Sequence, residues 1–331
     1  MSDLSAKGYI LLETSGLLYA FDTSNGDITP LPDITDYGFA PVSPDGKWLA
    51  HRVEDTNGSL MLEVRPISGI PIFSIPYSEN WVSTPVWLDH ERIITAYRRG
   101  TLASDYSSVI TNVFTGQIIE IDANQFQEYG TRCVNPLYDL SLTRVICTRY
   151  GPFGDVSLVL WNLETSEILW EMYIGDQLWY LQPAWSPDGT RFAVSGPPSD
   201  PYAFYPPYEL FLVDRDGQAT QLTHFAEANL HKITMTYPHW SPDGRYIAFW
   251  FMDALAVYDT TTGMITDLCI PKSYSYESQI FWSPDSRQIV VNSEVVLFEG
   301  PMKVVVVDVL SNKAIEIPGH YRVFGWMVEE P

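Results

Sequence analysis

The densest cluster of side chains able to bind a metal is the loop HFAEANLH, which holds His224, Glu227 and His231. Imidazole and carboxylate are ordinary zinc ligands, but a zinc site needs three or four of them converging on one point. These intervals match none of the recurring zinc spacings. A solvated loop is therefore the favoured reading, and the metal site is a weak candidate. A second carboxylate set recurs along the chain: Asp45, Asp188 and Asp243 stand in Ser-Pro-Asp-Gly, and Asp285 in Ser-Pro-Asp-Ser. Calcium would require several such oxygens around one ion. Turn chemistry accounts for them without it, because Pro presets φ and Gly takes the left-handed position that closes a tight hairpin. No H-E-x-x-H, C-x-x-C or G-x-S-x-G pattern occurs, so no catalytic residue and no cofactor are assigned.

Two further groups of residues carry binding chemistry. The segment GPPSDPYAFYPPYE, residues 196–209, sets Tyr202, Phe204, Tyr205 and Tyr208 among five prolines. Tyrosine is a frequent anchor of protein interfaces, and proline lowers the cost of ordering a loop. Two readings of these rings stand side by side, an exposed binding surface and rings folded back on the structure beneath. Arg98 and Arg99 lie in another long connection and could pair with an acidic partner, although solvated charge is the simpler account. The remaining polar candidates, Asn135, Gln182, His239 and Gln279, fall in runs that read as inner strands and would line a central channel. No carboxylate accompanies them.

Composition narrows the partner classes. The 331 residues carry 41 acidic against 19 basic side chains, a formal charge of −22. Such a chain repels phosphate backbones and anionic lipid, so nucleic acid and membrane surfaces are excluded as expected partners. Three cysteines, Cys133, Cys147 and Cys269, are too few for a disulfide framework. Cys133 and Cys147 flank a predicted hairpin and could meet, yet free thiols in a reducing compartment are the expectation. Neither a signal-like segment nor a membrane-length apolar run is present, which predicts a cytoplasmic location.

These residues sit on a repeat. An aromatic or apolar anchor precedes each hairpin turn, at Val42, Trp87, Tyr138, Trp185, Trp240, Trp282 and Trp326, with spacings of 45, 51, 47, 55, 42 and 44. A second signature closes another strand with a polar residue, at Asp22, Arg65, Asn112, Asn162, Asp214, Asp259 and Asp308. Gly26, Gly69, Gly116, Ser166, Gly217, Gly263 and Asn312 follow about four residues later. Gly and Asn are what a left-handed turn position selects. Each unit therefore holds four short strands, A to D, with turns between A and B and between C and D.

The first C signature precedes every anchor, and the last anchor follows every C signature. The two ends must then share one unit, with residues 320–327 supplying its strand A. The predicted fold is all-β, a seven-bladed β-propeller of four-stranded antiparallel blades. The C-terminal strand pairs with the N-terminal blade and so removes the free edges. The boundaries are a short tail at 1–7, one propeller over 8–327 and a tail at 328–331.

The Trp-Ser-Pro-Asp-Gly run, the apolar strand behind it and the Asp closing strand C resemble the WD-repeat-like repeats of TolB-type propellers across nearly the whole chain. The resemblance implies the fold and is almost silent about activity, since similar repeats serve partner binding in TolB and gating in some serine peptidases. TolB-type proteins are exported and carry a further N-terminal domain, for which this chain offers no signal and no room.

The expected function is a non-catalytic binding scaffold for a protein or peptide, monomeric by default, using the face built from the B–C and D–A loops. The alternative is a propeller hydrolase or lactonase-like enzyme with a small-molecule or metal site in the central channel.

Overall fold

The computed structural model describes residues 4, 7–32, 34, 41–76, 85–98, 106–122, 132–150, 156–174, 183–197, 208–225, 227, 235–272, 279–293 and 303–328. Seven antiparallel sheets account for its regular structure. Blade I begins with β1 (Gly8–Thr14), β2 (Leu17–Asp22) and β3 (Ile28–Pro30). Blade II holds β4 (Leu49–Glu54), β5 (Leu60–Arg65) and β6 (Phe73–Pro76), and blade III holds β7 (Val86–Trp87), β8 (Arg92–Arg98), β9 (Tyr106–Asn112) and β10 (Ile118–Asp122). Blade IV comprises β11 (Arg132–Tyr138), β12 (Arg144–Tyr150), β13 (Val156–Asn162) and β14 (Glu167–Tyr173). Blade V comprises β15 (Ala184–Trp185), β16 (Arg191–Gly196), β17 (Glu209–Asp214) and β18 (Ala219–Gln221). Blade VI comprises β19 (Met235–Trp240), β20 (Tyr246–Phe251), β21 (Ala254–Asp259) and β22 (Ile265–Pro271). Blade VII comprises β23 (Ile280–Trp282), β24 (Gln288–Ser293), β25 (Lys303–Asp308) and β26 (Lys313–Ile317), and the chain then runs into β27 (Arg322–Val328).

These are the blades of a seven-bladed β-propeller. The closure that the repeat count demands is present: β27 pairs antiparallel with β1, from Gly8↔Val328 to Glu13↔Arg322, and becomes the fourth strand of blade I. Blade II departs from the pattern, because its inner strand is represented by the single bridge Val42↔Leu49. The chain divides into two compact units, one of residues 1–124 with 273–331 and the other of residues 125–272. Among the described residues, no helix is long and apolar enough to cross a membrane.

The three Ser-Pro-Asp-Gly turns and the Ser-Pro-Asp-Ser turn are each closed by their own side chains. The Ser hydroxyl donates to the Asp carboxylate at 2.6 Å (Ser43–Asp45), 2.5 Å (Ser186–Asp188), 2.6 Å (Ser241–Asp243) and 2.5 Å (Ser283–Asp285). The same hydroxyl oxygen accepts an amide at or just before the start of the next strand, from Trp48, Arg191, Tyr246 or Gln288. Copy IV inverts the two roles. Asp139 takes the Ser position and its Oδ1 accepts the amides of Thr143 and Arg144, while Ser141 takes the Asp position and donates to Asp139 Oδ2 at 2.5 Å. The hydrogen-bond pattern survives although the letters do not. Its left-handed position is held by Leu142 at φ 57°, where the intact copies use Gly.

Packing between blades follows the anchors. In three copies the anchor indole Nε1 donates to the carbonyl that precedes the anchor of the blade before. These bonds run from Trp87 to Pro41 (3.0 Å), from Trp185 to Leu137 (3.1 Å) and from Trp240 to Ala184 (2.9 Å). Trp326 lacks this bond, its Nε1 being buried with no hydrogen-bond partner among the described residues. Asn292 holds that junction instead, donating to Tyr321 O at 2.8 Å and accepting from Val323 N at 2.9 Å. Apolar contact completes the junction: Val290, Val304, Val306 and Ile317 of blade VII pack with Ile10, Leu12, Phe21, Val323 and Trp326 of blade I.

The sequence expectation of free thiols holds at Cys269 and is corrected at Cys147. Cys147, 1 % exposed on β12, is disulfide-bonded. Cys269 is a free, exposed thiol on β22.

Candidate functional site

In an up-and-down antiparallel blade, the A–B and C–D turns share one end and the B–C and D–A connections share the other. The first end is short and densely hydrogen-bonded. Besides the Ser-Pro-Asp-Gly turns, the residues closing strand C cap their own turns. Asn112, Asn162, Asp259 and Asp308 each accept amides two and three residues ahead. Such local capping is the ordinary business of Asn and Asp in turns. Arginines complete it, with Arg245 on Asp259 at 2.8 Å and Arg287 on Asp308 at 2.7 Å.

Those partners set the electrostatics. The Arg245 hydrogen bond holds the Asp259 carboxyl below the usual carboxylate range. Burial works against ionised Asp188 and Asp308, yet hydrogen bonds from Ser186 and Thr190, and from Ser311 and Arg287, bring both below it as well. The carboxylates of the Ser-Pro-Asp turns, and those closing strand C at Asp259 and Asp308, are engaged by donors at this end of the blades. Among the described residues, no group of three or more His, Cys, Asp and Glu could hold a metal.

The other end is where chain length is spent, most of all in blade V. There β16 and β17 pair without interruption from Arg191↔Asp214 to Gly196↔Glu209, and residues 197–208 spring from that hairpin. The root of this loop is fixed from within. Tyr208 is 6 % exposed and packs in a core with Val156, Ile174, Leu210 and Trp240, so its ring is part of the foundation rather than of the surface. Glu209 is completely buried, and its Oε2 accepts the Thr223 hydroxyl at 2.5 Å. Thr223 Oγ1 in turn accepts the amide of Leu210 at 2.8 Å. The loop that enters β17 and the loop that leaves β18 are thus tied to one buried carboxylate. Sequence reasoning missed Glu209; its one signal is an acid placed directly before the apolar run 210–213.

The remaining sequence candidates are placed as follows. Tyr202, Phe204, Tyr205, Arg99, Gln182 and His231 lie outside the described residues. Arg98 ends β8, opposite Tyr106. His224 is exposed, with its Nδ1 3.4 Å from Glu227 Oε1 and 3.3 Å from Gln221 Nε2. Asn135 lies in β11 at φ 53°, where the ladder shifts between Val134 and Leu137, so a bulge explains the residue. Gln279 is half-buried ahead of β23. His239 pairs with Ala248 on β20, and burial pushes its imidazole down to about 4, which keeps it neutral at physiological pH.

Seven antiparallel blades with a strand from each chain end in blade I define a β-propeller, and solved propellers match it throughout. The chain is similar to TolB from Acinetobacter baumannii, at 13 % identity over 97 % of this chain and 82 % of that one, with a TM-score of 0.50. It is similar to an oligogalacturonate lyase from Vibrio parahaemolyticus, at 12 % identity over 94 % and 86 %, with a TM-score of 0.59. It is also similar to the β-propeller domain of the Trilobed protease from Pyrococcus furiosus, at 13 % identity over 96 % and 98 %, with a TM-score of 0.54. At such identities the likeness is one of fold, and the three proteins differ in what they do. No protein-family model and no curated protein matches the chain.

Proposed function

We propose that this propeller is a non-catalytic binding scaffold whose protein or peptide partner docks at the end of the blades built from B–C and D–A connections. The observation that carries the reading is the contrast between the two ends within residues 125–272. One end is trimmed to capped turns, and the other holds the connections 151–155, 174–183, 197–208 and 222–234. Binding function concentrates on long connections held by a rigid scaffold. Among them, 197–208 contains Tyr202, Phe204 and Tyr205 in sequence, and its root is locked by Tyr208 and Glu209; Arg98 and Arg99 are a separate candidate at the end of β8 and on the connection after it. A charge of −22 disfavours nucleic acid and anionic membranes as the partner.

The test is affinity capture from the native cell with the wild-type chain and with a Tyr202→Ser, Phe204→Ser, Tyr205→Ser variant. Loss of the captured partner from the variant supports the surface; a partner retained in full places the interface elsewhere.

The enzyme reading, a small-molecule or metal site among the inner strands, draws on neutral His239 in β19 and on Asn135 in β11. Elemental analysis of protein isolated without chelators separates the two. A stoichiometric transition metal favours the enzyme and removes the case for a purely passive scaffold.

A further inference from the structure

The disulfide at Cys147 concerns the maturation of the chain and is independent of the docking surface. Its strand, β12, meets a defect in β11. The ladder runs Val134↔Thr148 and then Leu137↔Ile146, so Cys147 faces the bulged pair Asn135-Pro136. Pro136 has no amide to donate and Asn135 is left-handed at φ 53°, so hydrogen bonding lapses at this point. The sheet offers β11 no second neighbour, because it is the terminal strand in the order β11-β12-β13-β14. Blade VI has the same defect, with the ladder shifting between Thr236 and His239, and there the position equivalent to Cys147 is Phe249, 1 % exposed. Blade VI fills the place with a ring where blade IV uses a covalent bond.

The chain has three cysteines, and Cys269 is free and exposed. Cys133 lies in β11 opposite Arg149, two positions from Cys147 on the partner strand, so the register sets positions 133 and 147 on the same face of the sheet. We infer that Cys133 and Cys147 form a structural disulfide that staples the inner strand of blade IV across its bulge, and that the protein therefore matures and works in an oxidising compartment. Two thiols give up two protons and two electrons as the sulfur–sulfur bond forms, and a disulfide-bearing oxidant accepts them by thiol–disulfide exchange and leaves as a dithiol. Persistent structural disulfides belong to oxidising compartments. The inference overrides the cytoplasmic location expected from the sequence.

Acid quenching of native cells, alkylation without reductant and peptide mapping test it directly. The expected result is alkylated Cys269 with Cys133 and Cys147 recovered in one disulfide-linked pair of peptides, and alkylation at all three after reduction. Alkylation of Cys147 before reduction would overturn the inference. Reduced wild-type protein gives a second readout that needs no variant. Its thermal midpoint should fall by roughly 5 °C or more relative to the oxidised form, and equal midpoints would show that the bond staples nothing.

Discussion

The inter-blade indole bond is a single-residue device, and its presence in three copies and absence in a fourth make it testable. Trp240→Phe keeps an aromatic ring but removes the donor to Ala184 O, so it should cost about 1 kcal/mol beyond the change in ring size. Trp326→Phe removes a donor that has no partner among the described residues and should cost measurably less. Urea midpoints of the two variants compare them directly, and equal losses would mean that the bond contributes nothing. Histidine gives a second prediction at this scale. The folded pKa of His239, at about 4, lies below its ordinary value of 6.5, and burial lowers that of His51 too. Below pH 6.5 the unfolded chain takes up protons that the folded chain refuses, so stability falls from pH 6.5 toward 4, by about 1–3 kcal/mol for His239. The depressed carboxylates, Asp259 and Asp308 among them, stabilise the fold above about pH 3.8 and lose that contribution only below it. His239→Phe should reduce the fall in the first window, leaving the part due to His51, and leave the second unchanged in chemical denaturation at stepped pH.

At the scale of elements, the turns show what a motif conserves. Leu142 occupies the left-handed place that Gly fills in the intact copies, and a side chain there costs about 1 kcal/mol. Leu142→Gly should therefore raise the thermal midpoint by a few degrees, and a fall would show that Leu142 packs more usefully than its backbone suffers. Gly217 is the converse case, since a Cβ there would stand 2.3 Å from Leu169 O at φ 85°. Gly217→Ala should destabilise by about 2 kcal/mol or more in the same assay.

The inverted turn also marks a boundary of what could be read from sequence. Asp139 and Ser141 exchange places while keeping the same hydrogen bonds, which position-by-position reading of YDLSLTR against WSPDGTR does not reveal. The two repeated signatures were legible because turn geometry restricts residue type so tightly. Glu209 was not, because a buried acid declares itself only when Thr223, from the connection after β18, arrives to satisfy it. Nor was every B–C connection long: β1 joins β2 through residues 15 and 16 alone, and β20 joins β21 through 252 and 253. The longest connections do fall at one end, but among those of the B–C type only blades III, V and VII exceed five residues.

At the scale of the molecule, closure depends on β27. Asn292 bonds the chain entering it, β1 pairs along it, and Val328 N donates to Gly46 O at 2.9 Å. Removing residues 322–331 strips blade I of its inner strand and uncovers Ile10 and Leu12, so cooperative thermal unfolding should be lost; a truncated chain melting as the intact one does would refute closure as the organising contact.

The scaffold reading stands or falls on which end of the blades the partner touches. Once a partner is captured, its dissociation constant should be measured against wild type, against the Tyr202→Ser, Phe204→Ser, Tyr205→Ser variant, and against Thr261→Lys, an exposed change in a capped turn at the opposite end. A weakening of about 100-fold for the loop variant and less than about 2-fold for the turn variant is predicted. The reverse order would contradict it.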